Sequence, residues 1–280
     1  MSAVVPVKWL FARLYEPDIV IVDCRFTMGK PDAGRTAYEE EHIPGAVYLD
    51  LERDLSAPVE EDGHGGRHPL PDIAELAARL GKVGISNESR VVAYDDQGGA
   101  MASRLWWLMK YLGHENVFVM EGGFTAWKNA GLLTSSEQKV LIPARFLATV
   151  QHNMLVEVEE VRESLGKAGV VLVDSREAPR YRGEVEPLDR VAGHIPGARN
   201  FFWAEGRRAD GTWKSADEQR ERFASLSQED EIIVYCGSGV TATPNVLALR
   251  EAGFVRVKLY AGSWSDWISY ADNPIATGEK

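Results

Sequence analysis

The sequence predicts an α/β protein of two similar domains, each a mainly parallel sheet flanked by helices. Two observations predict it. The first is an internal repeat: Val7-Lys-Trp-Leu10 and Ile21-Val-Asp-Cys-Arg25 answer, at one common offset, to Val158-Glu-Glu-Val161 and Leu172-Val-Asp-Ser-Arg176. The second is the alternation, within each half, of short β-branched runs with amphipathic helical stretches, which builds parallel sheets through crossover helices. Two units of about 130 residues are ordinary domains, unlike the short, numerous repeats of a solenoid.

Taken in order, the matches run through both halves. His42-Ile-Pro-Gly-Ala46 answers to His194-Ile-Pro-Gly-Ala198, Val91-Val-Ala-Tyr-Asp95 to Ile232-Ile-Val-Tyr-Cys236, and Gly122-Gly-Phe-Thr-Ala-Trp127 to Ala261-Gly-Ser-Trp-Ser-Asp-Trp267. Residues 91–94 read as a strand, and residues 101–112, closed by Gly113, as the helix after it. The expected division is residues 1–135 for the first domain, 136–152 for a linker without periodic pattern, and 153–280 for the second domain, with residues 143–150 lying against the second. The spacing from Asp23 to Asp95 exceeds that from Asp174 to Cys236, and the excess falls in the glycine-rich stretch 57–71. A connection of that kind is often functional. His42, His194, Asp23, Arg25, Asp174 and Arg176 recur in both halves and read as turn or ion-pair anchors of the fold, and Cys24 as a buried structural cysteine.

The chemistry concentrates after residues 232–235, a buried strand followed at once by Cys236-Gly-Ser-Gly-Val-Thr241 and a helix start at Thr243-Pro244. Gly237 and Gly239 can adopt backbone angles closed to other residues, so that successive N–H groups turn inward and form an anion-binding concavity around the sulfur. With the helix dipole, such a ring favours thiolate over thiol. In the first half Asp95 stands where Cys236 stands in the second, and a carboxylate cannot accept a sulfur atom.

The bulk composition sets outer bounds. With 45% apolar and 26% charged residues in a chain of 280, an ordinary soluble protein of about two domains is expected. Two cysteines do not make a disulfide framework. A net charge of −11 argues against nucleic-acid and anionic-membrane partners. No early apolar core with a cleavage site follows Met1 and no apolar run approaches spanning length, so a cytoplasmic location is expected. His64 and His68 lack a cysteine or third ligand nearby, so no metal site is expected.

The pairing of Asp-x-Arg with a downstream Gly-His-Ile-Pro-Gly-Ala, a cysteine loop after a strand, and a Gly-Ser-Trp-x-x-Trp element resembles the rhodanese family of sulfurtransferases in its tandem-domain form. The resemblance runs from about Val7 to Gly278 and implies an enzyme whose nucleophile, Cys236, sits in the second domain only. It implies double displacement without cofactor: the cysteine takes a sulfane sulfur from a small anionic donor and yields it to cyanide or a thiol, such as thioredoxin or a small thiol. Cysteine phosphatases of related fold carry an arginine six positions after the cysteine; here Ala242 stands there. The loop Cys-Gly-Ser-Gly-Val-Thr is similar to that of enzymes using 3-mercaptopyruvate, whereas many thiosulfate users have Arg and Lys after the cysteine. Thiosulfate as donor, or persulfide relay to a protein partner, are the alternatives. By the same resemblance Arg180 clamps the donor, Gly237, Gly239, Val240 and Thr241 line it, and Ser238, His68 and Glu52 move the proton. The family's second arginine, after Glu-Pro, is Leu188 here, leaving Arg190 or Arg182 to substitute.

Overall fold

A computed structural model describes residues 2–279. The chain forms two compact units: the first comprises residues up to Ala57, Pro71–Gln151 and Gly211–Trp213, the second Pro58–Leu70, His152–Asp210 and the residues from Lys214 onward.

The first unit carries strands β1 (Val4–Val5), β2 (Ile19–Asp23), β3 (Val47–Tyr48), β4 (Arg90–Tyr94) and β5 (Val117–Met120), and helices α1 (Val7–Phe11), α2 (Ala33–Glu40), α3 (Ile73–Lys82), α4 (Ala100–Tyr111) and α5 (Gly123–Asn129). The second carries β6 (Leu155–Val156), β7 (Val170–Asp174), β8 (Arg199–Asn200), β9 (Glu231–Tyr235) and β10 (Val257–Tyr260), with α6 (Val158–Ser164), α7 (Ala178–Tyr181), α8 (Ala216–Arg222), α9 (Thr243–Glu251) and α10 (Ser263–Trp267). Each sheet has five strands, in the orders β1-β5-β4-β2-β3 and β6-β10-β9-β7-β8, and every adjacent pair runs parallel. The expected fold class is therefore the observed one. Strands covered on both faces must be apolar throughout, and all of β2 and all of β9 beyond Glu231 are buried.

The repeated polar motifs anchor the ends of interior strands. Asp23 pairs in register with Tyr94, and Asp174 with Tyr235, so each aspartate ends its strand beside the tyrosine that precedes the loop. Asp23 accepts from Arg25 Nη2 at 2.6 Å and from the Tyr94 hydroxyl at 2.7 Å, while Arg25 Nη2 also donates to the carbonyl of Glu41 at 2.6 Å. Arg176 repeats this, donating through Nη2 to Asp174 at 2.6 Å and to the Gly193 carbonyl at 2.7 Å. The histidines opening the Ile-Pro-Gly-Ala turns bond backbone carbonyls, His42 that of Tyr38 at 2.6 Å and His194 that of Tyr181 at 2.7 Å, and each stacks on the same tyrosine. Burial lowers the His194 pKa below its ordinary value, as a ring held neutral requires.

Residues 143–150, expected to lie against the second domain, belong instead to the first unit. They run along the first, with Ala144 N–H donating to the Gly81 carbonyl at 2.9 Å, Thr149 N–H to Leu112 at 2.9 Å and Gln151 N–H to Tyr111 at 2.8 Å. The carbonyls that end α3 and α4 have no partner within their own helices, and this extended segment supplies one.

Candidate active site

Cys236 follows β9 directly and is buried. Its backbone is fixed by α10: Cys236 N–H donates to Ser263 Oγ at 3.1 Å, Trp264 N–H to the Cys236 carbonyl at 3.0 Å, and Ser265 N–H to the Gly237 carbonyl at 2.9 Å. Ser263 holds φ +58°, a left-handed conformation unusual for a residue with a side chain, and its hydroxyl donates to the Tyr260 carbonyl at 2.9 Å. The Gly-Ser-Trp element is thus the clasp that positions the cysteine.

The two loop glycines serve different needs. Gly239 has φ +73°, and a Cβ there would stand 2.1 Å from the Ala261 carbonyl oxygen. Gly237, expected to need unusual angles, is not at positive φ; a Cβ on it would lie 2.9 Å from Arg67 Nη2 and 3.5 Å from Arg180 Nη2. Of these two guanidiniums only that of Arg67 stands closer than ordinary van der Waals contact, and it is the end of a flexible side chain, so neither backbone angle nor fixed neighbour demands glycine at 237. Val240 is buried, and its carbonyl accepts from Thr243 N–H at 3.0 Å and from the Thr243 hydroxyl at 2.7 Å. Thr243 therefore closes the loop as the first residue of α9, with Ala242 at the N-cap, rather than capping the helix itself. Among the described residues, the amides of Gly237, Ser238, Val240, Thr241 and Ala242 donate to no protein group.

The extra stretch in the first half of the sequence is docked on α10. Gly65 N–H donates to Asp266 Oδ1 at 2.8 Å, Arg67 N–H to Ser265 Oγ at 3.1 Å, and the His64 ring bonds Ser269 Oγ at 2.9 Å while stacking on Tyr270. Gly66, at φ +79°, passes so near Gly262 that a Cβ would meet its carbonyl oxygen at 2.4 Å. This anchoring brings His68 Nδ1 to 2.8 Å from Ser238 Oγ. Glu52 is exposed in the first unit, with its N–H donating to Asp50 Oδ1 at 2.9 Å.

Beside the loop lies a chain of alternating charges. Arg180 donates through Nε and Nη2 to Glu186 at 3.1 and 2.7 Å and through Nη2 to Asp189 at 3.2 Å; Asp189 also accepts from Arg67 Nη1. Burial opposes ionisation of Glu186, but Arg180 and the amides of Leu188 and Asp189 hold its carboxyl below the ordinary value. Burial prevails at Asp189, whose carboxyl is raised despite its two arginines. Arg190 is tied to the Ile268 carbonyl at 2.6 Å, and Arg182 pairs with Glu184 at 2.7 Å. The second guanidinium at Gly237 is that of Arg67, which sequence reasoning passed over. Its signal was its place in the extra stretch, immediately before His68.

The first unit shows the same strand-to-loop element with another occupant. Asp95 follows β4 as Cys236 follows β9; Gly98, three residues on, has φ +72°, matching Gly239; and Phe124 N–H donates to the Asp95 carbonyl as Trp264 N–H does to that of Cys236. The Asp95 carboxylate accepts from the amides of Gln97, Gly99, Met101 and Ala102 at 2.8–2.9 Å. Cys24, the other cysteine, is buried, and burial with the charge of Asp23 pushes its thiol well up.

The model of the rhodanese-like domain matches twice, over residues 6–130 and 157–270. The chain belongs to the rhodanese family. It is accordingly a sulfurtransferase that works through a cysteine persulfide. A probable 3-mercaptopyruvate sulfurtransferase of Pseudomonas aeruginosa is 47% identical, with 96% of each chain covered, and the thiosulfate sulfurtransferase of Rattus norvegicus is 36% identical, covering 96% of this chain and 93% of its own. The crystal structure of a 3-mercaptopyruvate sulfotransferase from Escherichia coli superposes with a TM-score of 0.82 at 34% identity, covering 94% of this chain and 99% of its own. Among the described residues no helix is long and apolar enough to cross a membrane.

Proposed function

We propose that Cys236 carries the persulfide, that 3-mercaptopyruvate is the preferred donor, and that a thiol, of a small molecule or of thioredoxin, is the acceptor. One observation carries the assignment of the cysteine: the first unit fills its loop with a carboxylate held by four amides, whereas five amides of the corresponding loop at Cys236 have no protein partner. A concavity of that kind stabilises an anion, and the thiolate and the persulfide are both anions. Cys24, by contrast, is held as a thiol by burial and Asp23.

In the first half-reaction the Cys236 thiolate attacks the donor sulfur and the carbon–sulfur bond breaks. The electron pair leaves on the enolate of pyruvate, and the proton that began on the donor thiol ends on its methyl carbon. The Ser238 hydroxyl, bonded to His68 Nδ1 at 2.8 Å, is placed to pass that proton. In the second half-reaction an acceptor thiolate attacks the outer sulfur, the sulfur–sulfur bond breaks, and the Cys236 thiolate returns.

The donor preference rests on the loop, which has Gly237 and Ser238 in place of cations, and on the resemblance to the Pseudomonas enzyme. Steady-state rates with 3-mercaptopyruvate and thiosulfate, each with cyanide and with a dithiol as acceptor, test it: kcat/KM is expected to be higher for 3-mercaptopyruvate, and the reverse order overturns the donor assignment. Arg180→Ala is expected to lower kcat/KM for 3-mercaptopyruvate by about ten- to two-hundred-fold, the worth of a charge-assisted contact kept in the transition state. Urea unfolding of the same variant separates this loss from the effect on Glu186.

A further inference from the structure

We infer that Arg67 is the second arginine of the donor clamp, working with Arg180 to hold the donor's carboxylate on the Gly237 side of the loop. The inference rests on the proposed reaction at Cys236 and adds a specificity residue to it. Leu188 removes the arginine that the sequence resemblance led one to expect, yet two guanidiniums still stand at Gly237. Each uses only part of its donor set within the protein. Arg67 gives Nη1 to Asp189 and its backbone N–H to Ser265, leaving Nε and Nη2; Arg180 gives Nε and Nη2 to Glu186 and Asp189, leaving Nη1. Neither Arg67 Nη2 nor Arg180 Nη1 donates to any described residue, and they lie 2.9 and 3.7 Å from where a Gly237 Cβ would be.

Asp189 shows what the pair can hold. Its carboxylate takes one bond from each arginine, Oδ1 from Arg67 and Oδ2 from Arg180, which fixes both guanidiniums before a donor arrives. The remaining nitrogens then present a second carboxylate site beside the residue that follows the nucleophile. A carboxylate separated from its sulfur by two carbons suits that site, because the sulfur must reach Cys236 while the charge stays beyond Gly237. The main chain of Arg67 is fixed independently by Ser265, so that half of the clamp is built on α10, the same helix that clasps the cysteine.

The test is the rate at which sulfur appears on Cys236 in a single turnover, followed by intact mass, with 3-mercaptopyruvate and with inorganic polysulfide, a sulfur donor without a carboxylate. For Arg67→Ala the half-saturating concentration of 3-mercaptopyruvate is expected to rise about ten- to hundredfold, with loading by polysulfide unchanged; Arg67→Lys, which keeps the charge but not the planar fork, is expected to recover part of the loss. Equal loading of variant and wild type by 3-mercaptopyruvate overturns the inference. So does an equal loss with both donors, which makes Arg67 a support of the loop only. Should Arg67→Ala fail to fold with Asp189 half-paired, Arg67→Gln combined with Asp189→Asn removes both charges together, and the same two donors decide. A wild type that gains no sulfur on Cys236 from either donor sinks the underlying reaction instead.

Discussion

Cys236→Ser is expected to reduce sulfur transfer to the uncatalysed background while the protein stays folded. A hydroxyl can neither attack the donor sulfur at a useful rate nor hold it as a persulfide. The fold tolerates the change because what fixes residue 236 is its backbone, through Ser263 and Trp264, and those bonds do not involve Sγ. Wild-type protein incubated with donor is expected to gain about 32 Da, one sulfur, on the tryptic peptide containing Cys236. Cys24→Ser is expected to load and turn over as wild type does. Sulfur found on Cys24, or turnover surviving in Cys236→Ser, overturns the assignment. The first unit offers a physical contrast, since Asp95 already supplies the anion its loop amides bind and leaves no place for a transferable sulfur.

The repeat made the fold legible. Continuous β-branched runs at residues 19–22 and 232–234, set before glycine-containing loops and helices, describe central parallel strands directly, because local composition and burial agree there. The Asp-x-Arg and His-Ile-Pro-Gly-Ala motifs could be read as anchors because a half without a cysteine nucleophile keeps them. The loop at 236–241 could be read from its own residues. The role of Arg67 could not: nothing local to a glycine-rich stretch in the first half says that it docks on Ser265 and Asp266 of α10 and on Ser269 beyond it. The nearness of Arg67 to Gly237 was equally hidden, since a glycine beside a guanidinium looks the same in sequence as one required by its backbone angles. The path of residues 143–151 along α3 and α4 was hidden too, because its bonds satisfy helix-end carbonyls without any apolar periodicity.

Arg176→Ala is expected to destabilise the protein by about 3–5 kcal/mol, the cost of leaving a buried ionised partner alone. Both side chains of the Arg176–Asp174 pair are fully buried, and the guanidinium also lies 3.4 Å from Glu186 and 4.8 Å from the centre of the Trp264 ring. A loss of that size is a large fraction of the roughly 5–15 kcal/mol that holds an ordinary domain together, so a marked fall in the urea midpoint is the expected reading. Removing both charges is gentler than removing one: Asp174→Asn with Arg176→Met is expected to recover part of the stability, because no uncompensated charge remains. A single variant within about 1 kcal/mol of wild type would show that water reaches Asp174 and that the pair does not hold the strand end. The same substitution also separates anchoring from chemistry. Arg176 stacks on Trp264, whose amide holds the Cys236 carbonyl, so activity per folded molecule at low temperature is expected to fall far less than stability does. Comparable loss of activity in fully folded protein would mean that Arg176 fixes the nucleophile through α10 and is a positioning residue for the reaction as well as an anchor of the sheet.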